Sequence, residues 1–218
     1  MSTKSSKLSV CLIDDDAGVR NSLRLVMKDA GIPLVSFTSG QDFIDNFDPA
    51  GIGCILLDQR MPGMNGLELQ QNLRERNVSI PVILLTGHAD VPLAVQAIRA
   101  GAFDIVEKPY KEELLTERIR AAFAAFDEMQ KSRKEKATIV ERINRLTRRE
   151  KEVLDLMVAG KKNKDIAVEL GISPKTLDIH RSKVMEKMEA RTVADLVRWR
   201  LFELTSGKVA LPGGAGGL

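Results

Sequence analysis

Five short apolar runs punctuate the first half of the chain: Val10-Cys11-Leu12-Ile13, Leu34-Val35-Ser36-Phe37, Cys54-Ile55-Leu56-Leu57, Val82-Ile83-Leu84-Leu85 and Phe103-Asp104-Ile105-Val106. Each is short and nearly continuous, the pattern of a strand buried on both faces. Helical periodicity fills the gaps between them. Val19, Leu23, Val26 and Met27 recur at i, i+4, i+7 and i+8, and Gly31 ends that stretch. Asn65-Gly66 opens a helix through Leu67, Leu69 and Leu73. Val91–Ala100 reads as another, with Gly101 at its end, and Lys111 begins a further one through Leu114, Leu115, Ile119 and Phe123. Strand and helix alternate five times. This predicts an α/β domain, a doubly wound five-stranded parallel sheet with helices on both faces.

From Asp127 the strand pattern stops. Glu128–Arg145 is highly charged, with Ile139, Val140, Ile143 and Leu146 at roughly helical spacing. It reads as a helical linker able to pair with itself, or as a solvated spacer. Residues 146–205 then predict four helices with clear punctuation. Thr147-Arg148-Arg149-Glu150 matches a capping box, Gly160 and Gly171 close the first two helices, and Ser173-Pro174 caps the third, which runs to about Met188. Thr192 caps the fourth, an all-α ending. The expected organisation is a tail over 1–7, a first domain over 8–126, a helical linker over 127–145, a helical domain over 146–205 and a flexible Gly-rich tail over 206–218.

The chain has 218 residues, enough for one large domain or two small ones. Its net charge of +3 is uneven. Residues 1–126 hold 13 Lys/Arg and 16 Asp/Glu, and residues 127–218 hold 20 and 14. An acidic domain joined to a basic one implies different partners, and the basic one faces a polyanion. No uncharged apolar run approaches the ~18–20 residues of a membrane span, and Met1–Lys7 lacks the features of a signal peptide. Cys11 and Cys54 each sit inside an apolar run and read as buried reduced thiols. The expected location is the cytoplasm, with no membrane partner.

Ligands of a parallel sheet bind beyond the carboxyl ends of its strands. Asp14, Asp15 and Asp16 follow the first strand, Asp58 ends the third, Thr86 and Gly87 end the fourth, and Lys108-Pro109 follows the fifth. An Asp after a strand is ordinarily a helix cap, and a Lys-Pro is ordinarily a loop. Their conjunction at four strand ends points instead to a site. Carboxylates this close repel and call for a cation, and hard oxygen donors suit Mg²⁺. A carboxylate is also a competent nucleophile toward phosphorus. No phosphate-binding glycine loop is present, since Gly51-Ile52-Gly53 precedes a strand instead of following one.

With these motifs in place, residues 8–126 resemble a response-regulator receiver domain, of flavodoxin-like fold. The resemblance rests on Ile13-Asp14-Asp15-Asp16, on Leu57-Asp58 through Asn65-Gly66, on Leu85-Thr86-Gly87-His88 and on Glu107-Lys108-Pro109-Tyr110. It implies that a cognate sensor histidine kinase phosphorylates Asp58. It also implies that Asp15, Asp58 and the backbone carbonyl of Arg60 bind Mg²⁺ directly, with Asp14 acting through water. Thr86 and Lys108 would contact the phosphoryl group, unobstructed by Gly87, and Tyr110 would turn inward as Thr86 is drawn in. Arg60 and His88 would tune the phosphate's lifetime. Lys108–Pro109 would be cis. Phosphorylated receivers of this kind pair through the fourth helix and fifth strand.

Residues 146–204 resemble a LuxR-type four-helix DNA-binding domain, in which the second and third helices form a helix-turn-helix around Gly171-Ile172. The combination resembles the FixJ type within the NarL/FixJ family. It implies base contacts from Asp178, Ile179 and Ser182. Thr176, His180, Arg181 and Lys183, with Lys175, would serve the DNA backbone, and Asn163 and Lys164 would meet phosphates. Asp178 stands where some relatives carry Lys. It either accepts from cytosine N4 or keeps non-cognate sequences away. The domain holds 13 basic and 10 acidic residues, so a monomer should bind weakly and a dimer should supply the rest. The expected partners are double-stranded DNA, a second copy of the chain and RNA polymerase. No catalytic residue beyond the phosphoacceptor site is expected. Two other readings exist: a DNA-binding regulator whose receiver is a phosphorylation-independent interaction module, and a Mg²⁺-dependent phosphohydrolase, for which no lid-forming insertion is present.

Overall fold

Alternating side chains along each strand settle how the first unit packs. The computed structural model describes residues 8–205, so the two tails expected over 1–7 and 206–218 lie outside the described residues. Five strands, β1 Ser9–Ile13, β2 Leu34–Phe37, β3 Ile52–Asp58, β4 Val82–Thr86 and β5 Asp104–Glu107, form one parallel sheet in the order β2-β1-β3-β4-β5. Side chains alternate across a strand. Cys11, Ile13, Ile55, Leu57, Val82 and Leu84 therefore fill one core, with Phe43, Leu69, Leu73 and Ala97. Val10, Leu12, Cys54, Leu56, Ile83 and Leu85 fill the other, with Leu23, Met27, Leu115 and Ile119. Both faces are apolar, which is why the strand runs read as continuous.

The helices are α1 Ala17–Asp29, α2 Gly40–Asn46, α3 Gly66–Glu75, α4 Val91–Ala100 and α5 Glu112–Asn144. α2 is short and lacks a long apolar repeat. It is anchored by Phe43, whose ring meets Phe37 edge-on at 5.4 Å and Phe47 at 4.2 Å. Gly66 lets α3 begin hard against the sheet, because a Cβ there would lie 2.6 Å from the Asp58 carbonyl oxygen. Cys11 and Cys54 are buried free thiols, and burial pushes Cys11 up to about 12.

The chain divides into two compact units between Met129 and Gln130, inside the residue range of α5. The second unit holds α6 Arg148–Val158, α7 Asn163–Leu170, α8 Pro174–Met188 and α9 Val193–Thr205. The capping box at Thr147 and Glu150 is formed, and Gly171 (φ 62°) ends α7 in a left-handed cap. Leu146, Val153, Leu154, Met157, Ile166, Leu177, Val184, Met188 and Leu196 make its core, joined by Ile143 and Trp199. No helix among the described residues is long and apolar enough to cross a membrane.

Candidate phosphoacceptor site and nucleic-acid interface

Asp14 directly follows β1, Asp58 is the last residue of β3, and Lys108 follows β5. Adjacent parallel strands bring these ends together. The Lys108 ammonium donates to Asp14 Oδ2 at 2.9 Å and to Asp58 Oδ1 at 2.6 Å. The other Asp58 oxygen accepts from the Arg60 backbone N–H at 2.8 Å. Asp14 is 1% exposed and Asp58 7%. Burial holds the Asp14 carboxyl above its ordinary range, although Lys108 and the Asp16 N–H pull it down. Burial pulls Lys108 down, but its hydrogen bonds to Asp58 and Asp14 outweigh this and hold it above its ordinary value. One ammonium thus serves two buried carboxylates, and a net negative charge remains.

Of the four carboxylates that the sequence places at this edge, Asp14 and Asp58 are gathered on Lys108. Asp15 is exposed, and among the described residues no group of three His, Cys, Asp or Glu side chains is arranged around one point. Successive residues of an extended segment point in alternate directions, so Asp14 and Asp15 diverge. Asp16 instead caps α1, accepting from the Gly18 and Val19 N–H groups. Arg20, which the sequence did not single out, donates to the Asp14 carbonyl at 2.8 Å.

Thr86 is buried at the end of β4, and its hydroxyl donates to the His88 carbonyl at 3.0 Å rather than to the carboxylates. A Cβ on Gly87 would meet nothing within 4 Å, so space is open there. Tyr110 is half-buried against the core face formed with α1 and α5, and burial raises its phenol. The Lys108–Pro109 peptide is cis. The remaining donors suit a hard divalent cation in their chemistry: carboxylate oxygens with unmet negative charge, beside a main-chain turn at Arg60.

In the second unit, Leu177, Val184 and Met188 of α8 face the core. The opposite row therefore projects outward, at i, i+3, i+4 and i+7 from Lys175. Lys175, Asp178, Ile179 and Ser182 occupy it and are exposed, as is Lys183 to one side. Glu186, one turn further along, belongs to the same row and was missed in the sequence. Thr176 is half-buried and hydrogen-bonded to Ser173 at 2.8 Å. His180 and Arg181 are half-buried, with His180 Nδ1 enclosed and unpartnered. Asn163 and Lys164 are exposed in the first turn of α7, which no side chain caps.

Comparison with known proteins agrees with this geometry. Residues 10–120 match the response regulator receiver domain, and residues 144–200 match the bacterial regulatory proteins of the luxR family. The transcriptional regulatory protein FixJ of Azorhizobium caulinodans is 41% identical over 195 residues, covering 89% of this chain and 92% of that protein. The C4-dicarboxylate transport transcriptional regulatory protein DctR of Rhodobacter capsulatus is 41% identical over 87% of this chain and 98% of its own length. Among solved structures, the response regulator StyR superposes with a TM-score of 0.78 at 36% identity, covering 89% of this chain and 98% of that one. These relatives are transcriptional regulators, not enzymes, and receivers as a family bind Mg²⁺ at the phosphorylation site. The chain accordingly belongs to the two-component response regulators of the FixJ type, a receiver followed by a LuxR-type DNA-binding domain.

Proposed function

We propose that a sensor histidine kinase phosphorylates Asp58, and that this drives two copies to pair and bind double-stranded DNA in the cytoplasm. The observation that carries the reading is the pair of buried carboxylates sharing one ammonium at the sheet's carboxyl edge. An Asp58 carboxylate oxygen forms the new bond to phosphorus while the bond to the donor nitrogen breaks, and the donor keeps that electron pair. Asp14, Asp15, Asp58 and the Arg60 carbonyl would hold Mg²⁺, which offsets charge on the incoming phosphoryl group. Lys108 leaves Asp58 Oδ1 for a phosphoryl oxygen. Thr86 exchanges the His88 carbonyl for another phosphoryl oxygen, past the open space at Gly87, and Tyr110 follows inward.

The second copy docks on α4 and β5, where Val91, Val95 and Ile98 are 77%, 43% and 48% exposed along one helical stripe. The functional boundaries we assign are 8–126 for the receiver, 127–145 for the linker and 146–205 for the DNA-binding domain. Each α8 enters a major groove. Asp178 accepts from cytosine N4 or excludes other bases, the half-exposed Ile179 meets a thymine methyl, and Ser182 bonds a base edge. Lys175, Thr176, His180, Arg181, Lys183, Asn163 and Lys164 serve the backbone, and RNA polymerase is the remaining partner. A mobility shift with a small phosphodonor and Mg²⁺ tests this. Asp58→Asn should abolish the phosphodonor-dependent shift, and a shift that survives the substitution overturns the mechanism.

A further inference from the structure

The second unit recruits residues from before the region that matches the DNA-binding family. That match begins at 144, yet Ile143 packs against this unit's core. Arg142, on the same stretch of α5, reaches the far end of α8. Its guanidinium donates to the Met188 carbonyl at 3.3 Å, pairs with the Glu189 carboxylate, and lies 5.4 Å from the centre of the Trp199 ring. Its side chain is only 19% exposed.

The cap it closes is unusual. Glu189 ends α8 with φ 56°, a left-handed conformation that costs any residue with a Cβ. At the matching position α7 uses Gly171, for which that conformation is free. A Glu holds it at the end of α8 because its carboxylate is tied to Arg142. The same guanidinium satisfies a terminal carbonyl that the helix leaves open, and a cation there complements the helix dipole. The planar fork reaches a carbonyl, a carboxylate and a ring face together, which a lysine ammonium does not. One position before the last helical residue, Lys187 pairs with Glu150 of α6 at 2.6 Å. The end of α8 is therefore fastened to α5 and to α6.

We infer that Arg142 is a positioning residue for the recognition helix: by closing the Glu189 cap against Trp199 it fixes how α8 presents Asp178, Ile179 and Ser182 to DNA. This rests on α8 being the helix that enters the groove. Arg142 itself acts through α8 rather than through the nucleic acid.

The full-length chain, with a small phosphodonor and Mg²⁺, is first used to select duplexes from a random-sequence pool, and one selected duplex is the probe. Arg142→Ala should weaken binding of that probe about tenfold, and Arg142→Lys about threefold. Adding Glu189→Gly to Arg142→Ala removes the conformational cost and should restore most of the affinity. Glu189→Ala, which leaves the core and Arg142 in place, should weaken binding a few-fold, whereas Glu189→Gly alone should bind nearly as the parent does. Trp199 is the single tryptophan, so its emission reports the clamp directly and should change in Arg142→Ala. Parent-like affinity and emission in Arg142→Ala or Glu189→Ala overturn the inference. So does a loss in Arg142→Ala that Glu189→Gly fails to reverse. A parent chain that selects no duplex overturns the DNA-binding reading instead.

Discussion

The receiver buries two carboxylates, Asp14 and Asp58, against one ammonium, Lys108, whereas the helical unit buries one carboxylate, Glu150, against one ammonium, Lys187. The two acids respond in opposite directions. Burial raises the Asp14 carboxyl, and its partners do not fully compensate. Burial also pushes Glu150 up, but Lys187 and the Thr147 N–H outweigh it and hold the carboxyl below its ordinary range. A balanced pair straps two helices together and asks for nothing more. An unbalanced cluster is stable only because the rest of the sheet enforces it, and on the proposed function its excess negative charge is what a cation would neutralise before an anionic phosphoryl group approaches. The same kind of interaction is thus structural in one unit and functional in the other, and the difference is one carboxylate.

Removing each cation or acid should break this contrast in turn. Lys108→Ala leaves two buried carboxylates facing each other, and we expect a loss of about 3–5 kcal/mol at neutral pH. Urea unfolding followed through Tyr110, the single tyrosine and a receiver residue, measures it. The loss should shrink as the pH falls into the carboxylate range, because protonation removes the repulsion. An effect that is flat with pH contradicts the unbalanced cluster. Glu150→Ala removes both the strap to Lys187 and half of the capping box. A third of the Lys187 side chain is exposed, so the expected cost is smaller, about 2–3 kcal/mol, read through Trp199. This cost should also shrink in acid, but because the parent weakens rather than because the variant is relieved. A depressed carboxyl contributes stability above its unfolded value of 4.5 and loses it as the pH falls through the folded value. Acid should therefore weaken the parent's helical unit more than that of Glu150→Ala.

How much of this was legible beforehand depends on how locally each feature is encoded. β2 over Leu34–Phe37, α4 over Val91–Ala100, the end of α7 at Gly171 and α8 from Pro174 to Met188 fall where periodicity and caps put them. α2 was not delimited, because its anchor is a single phenylalanine gripped by two others rather than a repeat. Ile143 showed helical spacing without showing what it packs against. The helical unit's core supplies that answer only in three dimensions. At the site, residue types at strand ends revealed Asp14, Asp58, Thr86 and Lys108. They did not reveal that Lys108 bridges two of the acids while Asp15 turns outward, since a motif records order and not direction. The Glu150–Lys187 and Arg142–Glu189 pairs were equally invisible, lying 37 and 47 residues apart.

A gain of stability would sharpen the comparison further. Asp14→Asn keeps an oxygen for the Asp16 N–H, leaves Lys108 paired with Asp58, and removes the carboxylate whose charge burial disfavours. The receiver should become more stable at pH 7 by about 1 kcal/mol. A group whose folded pKa is raised is relieved as the pH falls through that value, so the advantage of Asp14→Asn should vanish in acid. Unfolding midpoints of both proteins across that pH range decide it. A variant less stable than its parent at pH 7 would mean the cluster is balanced after all.

The smallest effect isolates burial from charge. Arg148 pairs with Glu152 at 3.3 Å in the first turns of α6, two residues from Glu150, but the Arg148 side chain is 95% exposed. Water screens that pair, Arg149 also reaches Glu152, and a cation near a helix N-terminus opposes the dipole. Arg148→Ala should therefore change the unfolding free energy of the DNA-free chain by less than about 0.5 kcal/mol, in either direction. Glu150→Ala on the same helix should cost several times more in the same titration. Equal costs from the two substitutions would show that the capping box and its local charges, rather than the buried strap to α8, hold this unit together.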